Sequence, residues 1–226
     1  MTEDLLELGI AELGLDLSQN NIADLELFLQ EMGRWNQVHN LTAIENEQDS
    51  VRLHLIDSIA VLPVMRRFLQ ANSRIADLGS GGGLPAIPIA IIQPNWSLTL
   101  IEAIRKKTAF LQHVRGRLKL KNIDVQSDRV ENVALQQTGR FDAVISRAFT
   151  NLARFLELSL PLLKPDGLVF AMKAKRADEE LSAVCKEDWK LLADEALLIP
   201  NLSVERRLLV LSPVRKSTPT ITSAHP

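Results

Sequence analysis

Cysteine is almost missing from this chain, because Cys185 is the only one among its 226 residues. A single thiol excludes both an internal disulfide and a zinc site built from several cysteines. We therefore expect no bound metal, and chemistry that depends on paired thiols is excluded.

Long apolar runs are also missing, since no stretch approaches the roughly 18 residues that a membrane-spanning helix needs. The first residues include the acidic pair Glu3 and Asp4, whereas a secretory signal begins with basic residues. The formal net charge is only −2, so any contact with nucleic acid requires a local basic patch. With a hydrophobic fraction of 46%, the composition is typical of a globular protein with a sizeable core. We expect a cytoplasmic protein that does not bind a membrane.

Two hydrophobic patterns divide the chain near residue 72. Before it, Ile22, Leu25 and Met32 recur at helical spacing, and a second helical stretch is predicted from Gln48 to Leu62. After it, apolar segments typical of strands alternate with helical ones, which predicts a parallel sheet. We expect a helical extension over 1–72 packed on a main domain over 73–215, with a disordered tail over 216–226.

The main domain contains seven predicted strands, which indicate an α/β fold with a mostly parallel seven-stranded sheet. The predicted strands are Ile75–Leu78, Ser97–Ile101, Ile123–Gln126, Phe141–Ser146, Leu168–Met172, Trp189–Leu198 and Arg206–Ser212, the last two forming an edge hairpin. The predicted helices between them are Pro85–Ile92, Arg105–Leu118, Leu152–Leu163 and Ala177–Val184.

A glycine-rich loop follows the first predicted strand. Asp77 precedes it, and glycines stand at 79, 81 and 83. Glycine lets a backbone approach a ligand closely, because any Cβ would collide with that ligand. The common dinucleotide fingerprint places its third glycine five residues after the first, where this chain has Leu84. An ordinary glycine-rich turn is the alternative, but the flanking strand and helix favour a loop that holds a cofactor.

Charged residues also follow the other predicted parallel strands, at the sheet edge where ligands of doubly wound folds bind. Glu102 ends the second strand, and an acidic residue there can accept hydrogen bonds from two ribose hydroxyls. The alternative is a carboxylate that only faces the next helix dipole. Residues 128–131 follow the third strand, where we expect an adenine. Arg147 ends the fourth, and a charge at a buried strand end needs a partner, either Asp77 or a ligand carboxylate.

One stretch of the chain is basic. No acidic residue lies between Glu102 and Asp124, whereas seven lysines and arginines do. Such a run is usually a solvated helix face, but on a nearly neutral protein it also creates a positive face suited to phosphates. The loop that begins with Lys173, after the fifth strand, extends this positive face. The candidate nucleic-acid contacts are Lys106, Lys107, Arg115, Arg117, Lys119 and Lys173.

Five motifs occur in a recognisable order: Asn40–Ile44, His54 with Asp57–Ser58, Asp77–Pro85, Arg129–Glu131 and Ser146–Ala148. Over residues 20–175 they resemble the glucose-inhibited division protein B family, the bacterial guanine-N7 methyltransferases of small-subunit rRNA. The resemblance implies a Rossmann-like fold of the class I S-adenosylmethionine-dependent methyltransferases. It also implies transfer of a methyl group from S-adenosylmethionine to N7 of a guanosine in 16S rRNA.

The resemblance also implies the location of the site. At the matching positions it places Gly79, Leu84, Val130, Glu131 and Arg147 around the cofactor. Together with the loop and strand residues above, the cofactor-binding candidates are Asp77, Gly79, Gly81, Gly83, Leu84, Glu102, Val130, Glu131 and Arg147. The helical region would border the site, and the catalytic candidates are Arg147, His54 and Asp57.

Two residues depart from the family pattern, since Ala86 and Ala174 replace its usual glycines. Each alanine would narrow the approach of the cofactor or the guanine. The chain also lacks the Asp/Asn-Pro-Pro-Tyr/Phe stretch used to methylate exocyclic amines, and Cys185, in a predicted charged helix, lacks the Pro-Cys setting of a cytosine nucleophile. Guanine N7 carries a free lone pair, so we expect no general base.

The resemblance implies a partner, 16S rRNA or a small ribosomal subunit precursor, and we expect a monomer. One alternative is a methyltransferase of small molecules or proteins that uses the same loop and tolerates neutralisation of the basic stretch. Another is a non-enzymatic RNA or ribosome-assembly factor with a decayed cofactor fold. The intact Asp77, glycine loop and Glu102 argue against the second alternative.

Overall fold

A computed structural model describes residues 2–44, 46–174, 176–199 and 205–214 of the protein. The tail predicted over 216–226 lies outside these residues. A seven-stranded sheet forms the centre, in the order β3-β2-β1-β4-β5-β7-β6. Its strands are β1 (Arg74–Leu78), β2 (Ser97–Ile101), β3 (Ile123–Gln126), β4 (Phe141–Arg147), β5 (Leu163–Lys173), β6 (Trp189–Ala196) and β7 (Arg207–Pro213).

Strands β1 to β5 pair in parallel, and β7 is antiparallel to both β5 and β6. This arrangement confirms the predicted α/β fold with a mostly parallel sheet and a hairpin at its edge. Because β7 runs the opposite way, its first residue, Arg207, pairs with Lys173 at the end of β5. The carboxyl ends of the parallel strands and the amino end of β7 therefore meet at the same edge.

Helices surround the sheet and precede it. They are α1 (Thr2–Glu12), α2 (Gln19–His39), α3 (Glu47–Ser50), α4 (Asp57–Ile59), α5 (Leu62–Phe68), α6 (Ala86–Ile92), α7 (Arg105–Arg117), α8 (Val130–Gln136), α9 (Leu152–Ser159) and α10 (Ala177–Ser182). A π-helix over Val51–Ile56 joins α3 to α4, and the amide of Asp57 donates five residues back to the carbonyl of Arg52. Such wider turns occur often at functional sites.

Two hydrophobic clusters lie on opposite faces of the sheet. Alternate residues of each strand belong to different clusters: Ile75 and Ile145 belong to one, and Ala76 and Val144 belong to the other. This alternation is the period-two pattern of a strand whose two faces are both covered. Helices α2, α6 and α7 cover the first face, and α8 and α9 cover the second.

The helices before residue 72 contribute to the first cluster, where Leu25 and Phe28 of α2 pack with Phe110 of α7. The hydrophobic core is thus continuous across the predicted boundary, and the division into 1–72 and 73–215 stays a prediction. In the described ranges, no helix is long and apolar enough to cross a membrane.

Three local predictions differ from the structure. Cys185 lies in the exposed turn after α10, not in a helix, because α10 ends at Ser182. Strand β5 begins at Leu163, earlier than predicted, since a 3₁₀ turn over Leu160–Leu162 ends the preceding helix early. Helix α8 was missed; it is short and follows directly on residues predicted only as part of the site.

Candidate active site

The glycine loop after β1 turns sharply at the ligand edge of the sheet. Gly79 and Gly81 have positive φ angles of 69° and 56°, a region that L side chains adopt only with strain. A Cβ on Gly79 would lie 2.2 Å from the ring of Phe149, whereas a Cβ on Gly81 would meet only a carbonyl oxygen at 3.7 Å. The loop therefore needs glycine at 79 for packing, and it leaves open space above Gly81.

Two other candidates on this loop point into the protein. A Cβ on Gly83 would lie 2.4 Å from the side chain of Ile87, and Leu84 is buried within the first hydrophobic cluster. Both residues hold the loop against α6. Neither lines the cavity described below.

Glu102 holds the same loop from the end of β2. Its Oε2 accepts a hydrogen bond from the amide of Gly81 at 3.0 Å, and its Oε1 accepts one from the amide of Ile104 at 2.8 Å. The side chain is only 7% exposed, but a carboxylate oxygen can accept more than one bond. Glu102 can thus orient the loop and the start of α7 and still face a ligand.

A cavity of about 570 Å³ lies beside these residues, within the range of cofactor sites. Its wall includes Gly79, Glu102, Val130 and Glu131, as the sequence analysis predicted for a cofactor pocket, and also Lys107. This first cavity thus brings together candidates from β1, β2 and the start of α8.

Asp77 is buried and has no hydrogen-bond partner for either carboxylate oxygen among the described residues. Burial raises the pKa of Asp77 to about 7, and the positive charge of Arg147 offsets only part of that effect. Ser80, whose hydroxyl donates to the main-chain carbonyl of Asp77 at 3.0 Å, also lowers this pKa in part. An unpartnered buried carboxylate is destabilising, so a cationic or donor group of a ligand would stabilise it.

Arg147, at the end of β4, pairs with Asp57 and not with Asp77, the first of its two predicted partners; the second, a ligand carboxylate, stays a prediction. Its NH1 donates to the carbonyl of Leu53 at 2.6 Å and to Oδ2 of Asp57 at 3.0 Å. The expected pairing with Asp77 is wrong, because the π-helix before α4 brings Asp57 closer to the guanidinium. Arg206 donates from Nε to the other oxygen of Asp57 at 3.1 Å. One buried carboxylate therefore holds two arginines.

His54 lies on the π-helix and is 3% exposed. Its Nε2 is 3.1 Å from the hydroxyl of Thr42, whereas Nδ1 has no partner among the described residues. Burial, reinforced by the positive charge of Arg147, lowers the pKa of His54 to about 4. The imidazole is therefore neutral near pH 7 and cannot serve there as a proton donor in its charged form.

These side chains line a second cavity, of about 760 Å³. Its wall combines the loop after α2, the π-helix and the ends of β4 and β5, including His54, Asp57 and Arg147. The first and second cavities share Ala148 and Thr150. The two cavities are therefore adjacent, as the sites of a two-substrate transfer reaction must be.

The basic candidates are placed differently from one another. Lys106 donates to the carbonyl of His39 at 2.8 Å, and Arg117 approaches Glu31 at 3.5 Å. Lys107 lines the first cavity. Lys173 is 10% exposed in its side chain and donates to Glu180 at 2.7 Å and to the carbonyl of Thr150. Arg115 and Lys119 lie exposed on and after α7.

The family model described as GidB: rRNA small subunit methyltransferase G matches residues 21–210. A relative from Polynucleobacter asymbioticus, named Ribosomal RNA small subunit methyltransferase G, is 83% identical over 217 residues, covering 96% of this chain and 98% of the relative. One of the same name from Azoarcus sp. is 44% identical over 204 residues, covering 90% and 93%. The chain belongs to the GidB family. The resemblance inferred from the five motifs is confirmed.

Solved structures that resemble this GidB-family chain are methyltransferase-type folds at low identity. TYW2 from M. jannaschii in complex with AdoMet aligns with a TM-score of 0.50 and 19% identity, covering 69% of this chain and 77% of that one. TrmN from Thermus thermophilus aligns with a TM-score of 0.54 and 14% identity, covering 73% and 53%. At these identities the likeness shows the fold alone.

Sequence analysis missed two contributors to the site of this GidB-family protein. Phe149 lies against Gly79 and lines the first cavity, and Arg206 lines the second. A signal for Arg206 was available, because an arginine at the start of an antiparallel last strand lies at the ligand edge. Phe149 carried no such signal, since its position depends on Ala148, whose φ of 53° turns the chain sharply.

Proposed function

We propose that this GidB-family protein transfers a methyl group from S-adenosylmethionine to N7 of a guanosine in 16S rRNA. Family membership makes it an rRNA methyltransferase that uses this cofactor. One observation carries the assignment of the site: the cavity beside the glycine loop meets a second cavity at Ala148 and Thr150. The first is the proposed cofactor site, and the second is the proposed site of the guanosine.

The first cavity and the glycine loop beside it fit the cofactor, with Gly81 and Asp77 next to that cavity in the chain and not in its wall. The open space above Gly81 admits a ligand close to the backbone, and Glu102 offers carboxylate oxygens to ribose hydroxyls. Asp77, buried without a partner, suits a positively charged group nearby. When bound, S-adenosylmethionine supplies an electrophilic methyl group on a sulfonium. Val130 and Glu131 would line the remainder of the pocket.

The second cavity contains no free general base among the residues that line it. Asp57 is held by Arg147 and Arg206, and Glu180 by Lys173, while burial lowers the pKa of His54 to about 4, which makes its neutral imidazole only a weak proton acceptor. A reaction at an exocyclic amine or at a hydroxyl would need a proton removed, but guanine N7 attacks through a lone pair. We infer that Asp57, Arg147 and His54 position the acceptor, so that catalysis rests on alignment and fixed electrostatics.

We propose that the enzyme acts in the cytoplasm as a monomer, on 16S rRNA or on a precursor of the small ribosomal subunit. The exposed cations Arg115 and Lys119 on the α7 side support contact with RNA phosphates. Lys107 belongs to the cofactor cavity, and Lys173 serves mainly to hold the loop that carries Thr150. Lys106 and Arg117 contact their own chain and remain proposed RNA contacts at the edge of this surface.

The test is to map the product. Small subunits and naked 16S rRNA from cells that lack this protein are incubated with it and with S-adenosylmethionine carrying a labelled methyl group. We expect the label on N7 of one guanosine, identified by mass spectrometry of nuclease fragments, and the better substrate identifies the natural partner. Label on another atom of a base would refute the N7 assignment.

A control separates the enzyme from the non-enzymatic alternative. Binding of S-adenosylhomocysteine is measured by calorimetry, with NAD as the matched negative ligand. Binding of the former alone, together with labelled rRNA, supports the proposal. Failure to bind it, with no labelled product, would favour an assembly factor, and a labelled small molecule or protein in place of rRNA would favour the other alternative.

A further inference from the structure

Arg206, the residue before β7, lines the second cavity. Its Nε donates to Oδ1 of Asp57 at 3.1 Å, while Arg147 donates to Oδ2 of the same carboxylate at 3.0 Å. The side chains of the two arginines are 23% and 24% exposed, and that of Asp57 is 1% exposed. Asp57 thus fixes two guanidinium groups that both face the same cavity.

The charges of this cluster do not cancel. Asp57 supplies one negative charge between two arginines, which leaves an excess of one positive charge at the wall of the cavity. For Arg206, which lines the cavity, the hydrogen bonds seen among the described residues use Nε and NH1, and NH2 makes none with them. Guanidinium groups held in this way bind phosphate well, because their donors are already oriented.

The position of Arg206 distinguishes an RNA anion from the cofactor. The residues shared with the first cavity, Ala148 and Thr150, lie close to Arg147 in the chain. Arg206 contacts the other oxygen of Asp57 and, like Arg147, lines the second cavity and not the first. An anion bound by Arg206 would therefore lie in the second cavity, the proposed site of the acceptor substrate.

We propose that Arg206, oriented by Asp57, binds a backbone phosphate of the rRNA next to the target guanosine. This inference rests on the proposed function, since it names one contact of that substrate. Arg206 then acts as a residue that positions RNA, while Asp57 keeps its guanidinium in place.

The experiment compares Arg206→Gln, Arg206→Lys and Arg67→Gln with the wild type. Arg67 is an exposed arginine of α5 that pairs with Glu195 and lies outside both cavities, so its variant removes the same charge elsewhere. Affinity for unmodified small subunits is measured at several salt concentrations in the presence of S-adenosylhomocysteine. Affinity for S-adenosylhomocysteine and the thermal midpoint are measured in parallel.

For Arg206→Gln we expect RNA affinity to fall about tenfold or more, with the log–log salt slope lower by roughly 0.7–0.9. Cofactor affinity should stay within about twofold, and Arg67→Gln should match the wild type. Arg206→Lys should restore most of the salt slope but only part of the affinity, because lysine keeps the charge and loses the planar fork. Arg206→Lys also provides the test if Arg206→Gln does not fold.

Two results would overturn the proposal. Unchanged RNA affinity and salt slope with a lower thermal midpoint would make Arg206 only a structural partner of Asp57. A loss confined to cofactor affinity would place its anion on the cofactor. Absence of rRNA methylation by the wild type would instead refute the proposed function, so the two failures are distinguishable.

Discussion

Replacing Glu102 with alanine tests the central contact of the proposed cofactor site. In the structure, this carboxylate accepts hydrogen bonds from the amides of Gly81 and Ile104 at 3.0 and 2.8 Å. It therefore has two functions, to hold the glycine loop without a ligand and to bind the ribose of the cofactor. Glu102→Ala should impair both.

The magnitude follows from the bonds that are lost. A hydrogen bond to a charged group contributes about 1.5–3 kcal/mol, and water from the adjoining cavity can replace part of each bond to Glu102. We expect the free energy of unfolding to fall by about 2–3 kcal/mol. The free energy of binding S-adenosylmethionine should weaken separately by about 1.5–3 kcal/mol, a loss of affinity of roughly 10- to 150-fold, because the ribose bonds are also lost.

The assay combines urea unfolding without ligand and calorimetry with S-adenosylhomocysteine. Asp166→Ala is the matched control, because it removes an exposed carboxylate early in β5, away from the ligand edge. Glu102→Gln should be intermediate in stability, since one amide oxygen can still accept a bond while the amide nitrogen cannot.

Unchanged stability of Glu102→Ala would refute the inference that this carboxylate holds the loop. Unchanged cofactor affinity would refute its assignment to the ribose. If stability falls and affinity does not, Glu102 is only a cap for the start of α7 and the loop.

Gly81→Ala should lose about 1–2 kcal/mol of stability from its positive φ, and so should the control Gly14→Ala, because Gly14 has a φ of 64° and no neighbour near its Cβ. Calorimetry should show weaker cofactor binding for Gly81→Ala alone. Equal cofactor affinities of the two variants would contradict the open approach above Gly81. Burial raises the pKa of Asp77 from 3.8 to about 7, so its contribution to stability is present below about pH 4 and is lost as pH rises toward 7. As the carboxyl of Asp77 loses its proton, the affinity for S-adenosylmethionine should rise between about pH 6 and 8. Asp77→Asn should flatten both this rise and the loss of stability. A wild-type affinity that does not change with pH would contradict the role of Asp77. Neutralising Arg115 and Lys119 should lower the salt slope for small-subunit binding by about one unit per phosphate contact without changing cofactor affinity, and an unchanged slope would mean that α7 presents only a solvated face.

The sequence predicted the sheet well because local patterns determine strands and helices in this chain. Apolar segments of four to six residues, separated by polar turns, corresponded to the first four strands within about one residue. The parallel direction of the strands was predicted from the alternation of strands and helices, since parallel neighbours need a crossover. Helix α8 was missed because seven residues contain too few repeats of a helical period to distinguish it from a loop.

Prediction of the first cavity rested on the same topology, and four of the nine cofactor candidates line it. Its candidates Gly79, Glu102 and Val130 each lie at or just after the end of a parallel strand. The topology of such a sheet brings those ends together, so residues far apart in sequence were expected to meet. Their roles toward the cofactor stay proposals, to be tested by the variants above.

The sequence predicted the second cavity only in part. The motifs placed His54 and Asp57 at the border of the site, but they did not identify what each side chain contacts. A π-helix shifts the turn that carries them, and the wider turn has no signature in the hydrophobic pattern. The predicted pairing of Arg147 with Asp77 was wrong for this reason.

By itself, the sequence determined the sheet, the glycine loop and the acid at the end of β2, because each depends on spacing along a short segment. Only the tertiary structure decided which charges pair. Asp57 meets Arg147 across 90 residues of chain and Arg206 across 149, and no local pattern encodes such distances. Packing of the helical region on the sheet selects these partners, because a buried carboxylate is stable only where fixed donors surround it.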